Sequence, residues 1–290
     1  IIKEVKPDFI HCHLVRTTEY VKEIQHVRKS LDFMDAFAHG MKKRQDIERN
    51  LFKRLLFRYE KNLLLKYESS MFDFIDKFSI ISEQDRHSIP NPGAREIHII
   101  PNGVDFETFY PRAEEKIYDI LFMGNLAYPP NIAALEFLSG KVMPLVQKSM
   151  PEVKLLIAGV DACRQIKRMK TDNIEVIENF EDISDAIAIS KIMVAPMHIS
   201  IGLQNKVLQA MAMKTPCIVS TSANNAIHAP INKAIIEANT ELEFAGQILE
   251  LLNNEDKARE IGQAGFEFVL DNYSWSKQNS LLTSLLFNRN

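Results

Sequence analysis

Ser200-Ile201-Gly202-Leu203-Gln204-Asn205-Lys206-Val207-Leu208-Gln209-Ala210-Met211-Ala212-Met213-Lys214-Thr215-Pro216 is the stretch on which the reading of the fold turns. Before it, Ile192-Met193-Val194-Ala195-Pro196 reads as a buried strand; after it, Pro216-Cys217-Ile218-Val219 reads as the next one. Gly202 therefore falls where a strand turns into a helix. The free amides and partial positive charge of a helix N-terminus favour phosphate, and Lys206 adds a full charge one turn in. Asn205 and Gln209 are four residues apart and Lys206 and Gln209 three, so their side chains share a helix face. A polar stripe with one cation beside such a loop suits a nucleotide diphosphate. A surface helix whose polar face is simply wet is the alternative.

Outward from this stretch, short apolar runs alternate with helical ones. The expected strands are Phe9 to Leu14, Ser30 to Met34, Phe78 to Ser82, Ile97 to Ile100, Ile120 to Met123, Val153 to Ala158, Ile174 to Ile177, Ile192 to Pro196 and Cys217 to Val219. Strands separated by helices imply parallel sheets with crossover connections. Tyr110 to Lys116, with Pro111 and a charge cluster, reads as a linker, giving two doubly wound α/β domains. Ligands in such sheets bind at the carboxyl ends of the strands, so the cleft between two facing sheets is the expected site.

Composition permits this reading without requiring it. The 290 residues suit two domains, and 46% hydrophobic content supports a sizeable core. A net charge of −3 argues against a general nucleic-acid binder. Three cysteines without paired spacing, Cys12, Cys163 and Cys217, fit a reducing compartment. No run of 18 apolar residues is present in the sequence. Met41 to Tyr67 reads as one long amphipathic helix carrying nine Lys or Arg against Asp46, Glu48 and Glu60. Such a helix either lies on an anionic membrane surface or shows a solvated face to water.

Four motifs stand in order along the chain: Ile99-Ile100-Pro101-Asn102-Gly103-Val104-Asp105-Phe106, Leu121-Phe122-Met123-Gly124-Asn125-Leu126 with Pro129-Pro130-Asn131, the Gly202 to Pro216 stretch, and Asn272-Tyr273-Ser274-Trp275. Together they resemble those of family 4 GT-B glycosyltransferases, in particular the sugar transferases of exopolysaccharide and exosortase gene clusters. The resemblance implies a GT-B fold of two facing Rossmann-like domains. Residues 1–109 would be an acceptor-side domain and 117–272 the nucleotide-sugar domain, with a helix over 276–288 crossing back to the first. Because the family's first domain begins well upstream of its His-x-His strand, the N-terminal domain is expected to be truncated here.

The implied activity is transfer of a sugar from a nucleoside-diphosphate sugar to a glycan or lipid-linked acceptor, with retention, in polysaccharide biosynthesis. No cofactor or metal and no nucleic acid is expected; the implied location is cytoplasmic and peripheral to a membrane, through 41–67. Helix amides and a lysine can stabilise the departing diphosphate. The candidate donor-binding residues are Gly124, Asn125, His198, Gly202, Leu203, Gln204, Asn205, Lys206 and Gln209. His11 and His13 share a strand face, which leaves core histidines, a metal pair, or a contact from His13 to the donor sugar; the last, which the resemblance implies, makes His13 the catalytic candidate.

The sequence departs from the family at several points. Two glutamates eight positions apart typically touch the sugar and the ribose; Ile201 and Gln209 stand there. An amide at Gln209 replaces a charge-assisted hydrogen bond with a neutral one, a loss of about 1 kcal/mol. Lys214 takes the place of a helix-ending glycine, and Asn125 that of an arginine. A catalytically weak or dead nucleotide-sugar-binding subunit on the same fold, or a partner-binding protein without use for phosphate, are the other readings.

Overall fold

The computed structural model describes residues 2–48, 50–197 and 202–287. The chain divides into two compact units, one of Ile1–Asn102 with Gln278–Asn290 and one of Gly103–Lys277. In the first, β1 (Phe9–His13), β2 (Arg28–Asp32), β3 (Lys77–Ile80) and β4 (Ile97–Ile99) lie parallel in that order. Leu31, Phe33, Phe78 and Ile80 are fully buried beneath it, with the Phe72 and Phe78 rings 4.4 Å apart between centroids.

The crossover from β2 to β3 corrects one expectation. Met41 to Tyr67 is not a single helix: Phe37–Ile47 and Leu51–Ser70 are two helices packed on each other. Asn50 restarts the chain, its side chain accepting from the amides of Phe52 and Lys53. That is an N-cap inside an otherwise helical pattern, and amphipathic periodicity alone does not reveal it. The hairpin closes at its other end through Glu68, whose Oε1 accepts from the Ala38 amide at 3.2 Å. Ala36 offers no capping side chain there. The Glu68 carboxyl is fully buried, and this pushes its pKa up to about 7.

In the second unit, β5 (Tyr118–Asn125), β6 (Leu155–Val160), β7 (Ile174–Glu178), β8 (Ser190–Ala195), β9 (Cys217–Val219) and β10 (Ile236–Glu237) form a parallel sheet in the order β10-β9-β8-β5-β6-β7. Ile120, Leu121, Phe122 and Met123 are consecutive and buried, as a central strand covered on both faces requires. The order reverses between β5 and β8, which creates the crevice where doubly wound sheets bind ligands.

All nine expected strands form, with ends displaced by no more than two residues, while two-residue β10 is too short to show in a hydrophobic pattern. Tyr110 to Lys116 does not divide the chain; the division falls at Asn102 and Gly103. Arg112 pairs with Asp185 at 2.6 Å and Lys116 donates to the Ala188 carbonyl, so this segment is held by the second unit.

Two of the family-like motifs meet where the chain passes between units. The Val104 amide donates to the Tyr273 carbonyl at 2.7 Å, and a Cβ at Gly103 would lie 2.6 Å from the Trp275 ring. Only glycine permits that packing. The Glu255–Tyr273 helix ends at Ser274, and a new helix, Trp275–Phe287, begins. From Gln278 onward this last helix belongs to the first unit, where Lys77 donates to the Leu285 carbonyl and Phe9 meets Phe287. Among the described residues no helix is long and apolar enough to cross a membrane.

Candidate functional site

The Asn205–Ala212 helix follows β8 at the switch point. Val207, Leu208, Ala210, Met211 and Ala212 bury one face of it. Gln204, at its N-cap, supplies no capping side-chain bond to the helix. The preceding Gly202 has φ 66°, a left-handed conformation that glycine adopts without strain.

Lys206 reaches back from this helix to the end of β5. Its Nζ donates to Asn131 Oδ1 at 2.7 Å, lies 3.7 Å from Met197 Sδ and stands 4.6 Å from the Phe122 ring centroid. Part of the side chain is open to solvent, yet the amine is enclosed, and burial alone brings its pKa down to about 7. Among the described residues no carboxylate pairs with it. A desolvated cation without an anion is costly, so a bound phosphate would restore the proton and gain by it.

Gly124 makes room for this arrangement. With φ +152° it has a backbone that side chains rarely adopt, and a Cβ would sit 2.9 Å from Asn131 Nδ2 and 3.4 Å from Lys206 Nζ. Asn131 is locked in turn: its Nδ2 donates to the Asn125 carbonyl at 2.8 Å, which leaves Oδ1 to face the lysine. Because a carbonyl can only accept, the orientation of the amide is fixed.

Two cavities flank the amine and share Gly124 and Lys206. One, of about 250 Å³, is otherwise lined by Met123, Gly159, Val160, Phe180, Ile183 and Gln209. The other, of about 200 Å³, adds Tyr128, Asn131, Met197, Leu203, Gln204 and Asn205. The lysine thus stands between a mostly apolar compartment and a more polar one.

Of the residues expected from sequence, Gly124, Leu203, Gln204, Asn205, Lys206 and Gln209 line these cavities, although Asn205 and Gln209 open onto different ones. Gly202 shapes the loop without lining either. Asn125 does not line them: its Oδ1 accepts from the Ala127 amide and its Nδ2 donates to Asp161, so its side chain is spent on a local turn. His198, with Ile201, lies outside the described residues. His13 is in the first unit, exposed at the end of β1 and 3.5 Å from Asp32. On the same face His11 shares a hydrogen bond with Ser30 Oγ at 2.7 Å, and desolvation lowers its pKa. Among the described residues no three His, Cys, Asp or Glu are grouped to hold a metal.

The sequence gives Phe122, Asn131 and Met197 no role. For Asn131 a signal existed, since Pro129-Pro130 fixes a helix start and so places the residue behind it. Phe122 and Met197 look like ordinary core residues and become site residues only through contact.

A six-stranded parallel sheet in this order is a Rossmann-type doubly wound unit, with a lysine and a helix N-terminus at its switch point. Residues 117–254 match the family described as glycosyl transferases group 1. An uncharacterized 44.6 kDa protein in the cps region of Klebsiella pneumoniae is 28% identical over 247 residues, covering 79% of this chain. The chain spans 61% of the length of that curated relative. Among solved structures, sucrose-phosphate synthase from Thermosynechococcus elongatus matches with a TM-score of 0.77 at 15% identity, over 98% of this chain and 74% of that one. A TarM variant from S. aureus, in complex with fondaparinux, alpha-GlcNAc-glycerol and UDP, matches with a TM-score of 0.72 at 16% identity, over 94% and 54%. The fold is that of the GT-B glycosyltransferases.

Proposed function

We propose that this protein transfers a sugar from a nucleoside-diphosphate sugar to a glycan or lipid-linked acceptor, with retention at the anomeric carbon, in polysaccharide biosynthesis at the cytoplasmic face of a membrane. One observation carries the reading: an enclosed Lys206 amine, unpaired with any carboxylate among the described residues, stands between two cavities at the switch point. The diphosphate would lie at the amine, with the nucleoside in the compartment of Gln209 and Phe180 and the sugar beside Asn205. UDP in the TarM complex and the cps-region relative support the donor class and the pathway.

In this reading the chain needs no metal for its chemistry. Lys206, protonated as the donor binds, neutralises charge that grows on the diphosphate as the glycosidic bond breaks, and the helix amides add their dipole. Asn131 accepts a hydrogen bond from the amine and so orients it without adding a charge that would compete with phosphate. His13 is the proposed sugar contact, on the resemblance alone.

Gln209 supports a second reading, a nucleotide-sugar-binding subunit with weak or no turnover. Calorimetry against UDP-, GDP- and ADP-sugars, followed by a transfer assay with lipid-linked and free glycans, separates the two. Tight donor binding with transfer supports the enzyme, and binding without transfer to any acceptor supports the subunit. Failure to bind any donor would overturn both.

A further inference from the structure

The Leu51–Ser70 helix turns an apolar face outward. Leu51, Phe52, Leu55, Leu56, Tyr59 and Leu63 are between 49% and 85% exposed, although a domain helix normally buries such residues. At 3.6 residues per turn they occupy one continuous face roughly 140° wide and about 18 Å long. Lys53 borders this face on one side and Arg54 and Arg58 on the other, all exposed. The 41–67 segment holds a sequence excess of six positive charges in a chain whose net charge is −3. Asn50 and the partner helix Phe37–Ile47 hold the helix in place, so it is formed before anything binds.

We propose that this face docks on an anionic lipid bilayer, lying in the interface plane with its apolar side inserted. Charge complementarity selects that occupant. An interfacial helix buries its apolar face to roughly 5–10 Å, which places flanking arginines and lysines among the headgroups. Each basic residue near an anionic surface adds to the attraction. Pairing with a second copy through the same face would instead bring Lys53, Arg54 and Arg58 against their own equivalents, and like charges repel.

Co-sedimentation of the full chain with vesicles of phosphatidylcholine, alone and mixed with phosphatidylglycerol, tests this. Binding should require the anionic lipid and weaken as salt rises. Phe52→Ser with Leu55→Ser, and separately Arg54→Glu with Arg58→Glu, should each lower partitioning by about tenfold or more. All four side chains are exposed, so folding is unaffected, which an unchanged melting temperature would verify. Absence of binding to the mixed vesicles would overturn the proposal, as would binding that the Phe52 and Leu55 substitutions leave untouched. A dimer in sedimentation velocity that these substitutions dissolve, without any vesicle binding by the parent, would assign the face to a second copy instead.

Discussion

Two helices carry the most informative cations of this chain, and they use them in opposite ways. Asn205–Ala212 contributes a single lysine whose amine is enclosed between strand ends. Leu51–Ser70 spreads several cations over open surface beside bare apolar side chains. An enclosed cation is strained until an anion arrives and is then worth much to one ligand; an exposed one is screened and counts only in numbers. Burial, more than charge count, separates a binding site from a docking surface.

The sharpest way to break this comparison is Lys206→Ala, which should weaken UDP or GDP binding by about 100-fold or more, in line with loss of a buried charge-assisted contact. Calorimetry decides it, and near-parental affinity would return the helix to the wet-surface reading. Lys206→Met should raise the melting temperature, because a charge that pays for its own desolvation is removed. The lysine titrates at about 7 in the folded chain and near 10.4 unfolded, so its burial penalty is full below pH 7 and fades as pH rises. The gain in melting temperature should therefore be larger at pH 6 than at pH 9.

The next effect is on the pH dependence of binding. Above pH 7 the free amine is neutral and must take up a proton to meet a diphosphate. Affinity should then fall by up to about tenfold per pH unit between 7 and 9, with a binding heat that depends on the ionisation enthalpy of the buffer. A flat profile would mean that the lysine is already charged when free. In Asn131→Asp a carboxylate beside Nζ should keep the proton on, flattening the profile while lowering affinity at pH 6.

A smaller change is expected at Gln209→Glu. Donor affinity should rise by roughly fivefold, about 1 kcal/mol, if the cavity it shares with Lys206 holds the ribose. Unchanged or weaker binding without turnover in either form would favour the binding subunit. The smallest effect belongs to Lys214, whose charge serves neither surface. It ends the Asn205–Ala212 helix at φ 58°, with the Thr215 amide bonded to Ala210 and its own to Met211. That is a Schellman cap, where glycine is favoured. Lys214→Gly should stabilise the chain by up to about 1 kcal/mol in urea unfolding, less what is lost from the Lys214 contact with Phe266.

The sequence carried the fold a long way because strand and helix are written in local periodicity. Ile120 to Met123 and Ile192 to Pro196 are short apolar runs of strand length, and alternation with helices makes them parallel. It read the site only in part. The spacing of Asn205, Lys206 and Gln209 announced a shared face, but the two cavities divide that face, since Gly124 and Lys206 stand between them. Asn125 looked like a ligand-facing polar residue, whereas the Ala127 amide claims it within two positions.

By itself the sequence determined the strands, the helix behind Gly202, the cation at Lys206 and the excess charge of residues 41–67, all of which are properties of neighbours along the chain. Tertiary structure decided which of those charges lose their water. Phe122, Asn131 and Met197 converge on Lys206 from distant segments, while Asn50 breaks the basic segment into a hairpin that leaves Leu51 to Leu63 uncovered. Desolvation depends on what packs around a group in space, and no local pattern records it.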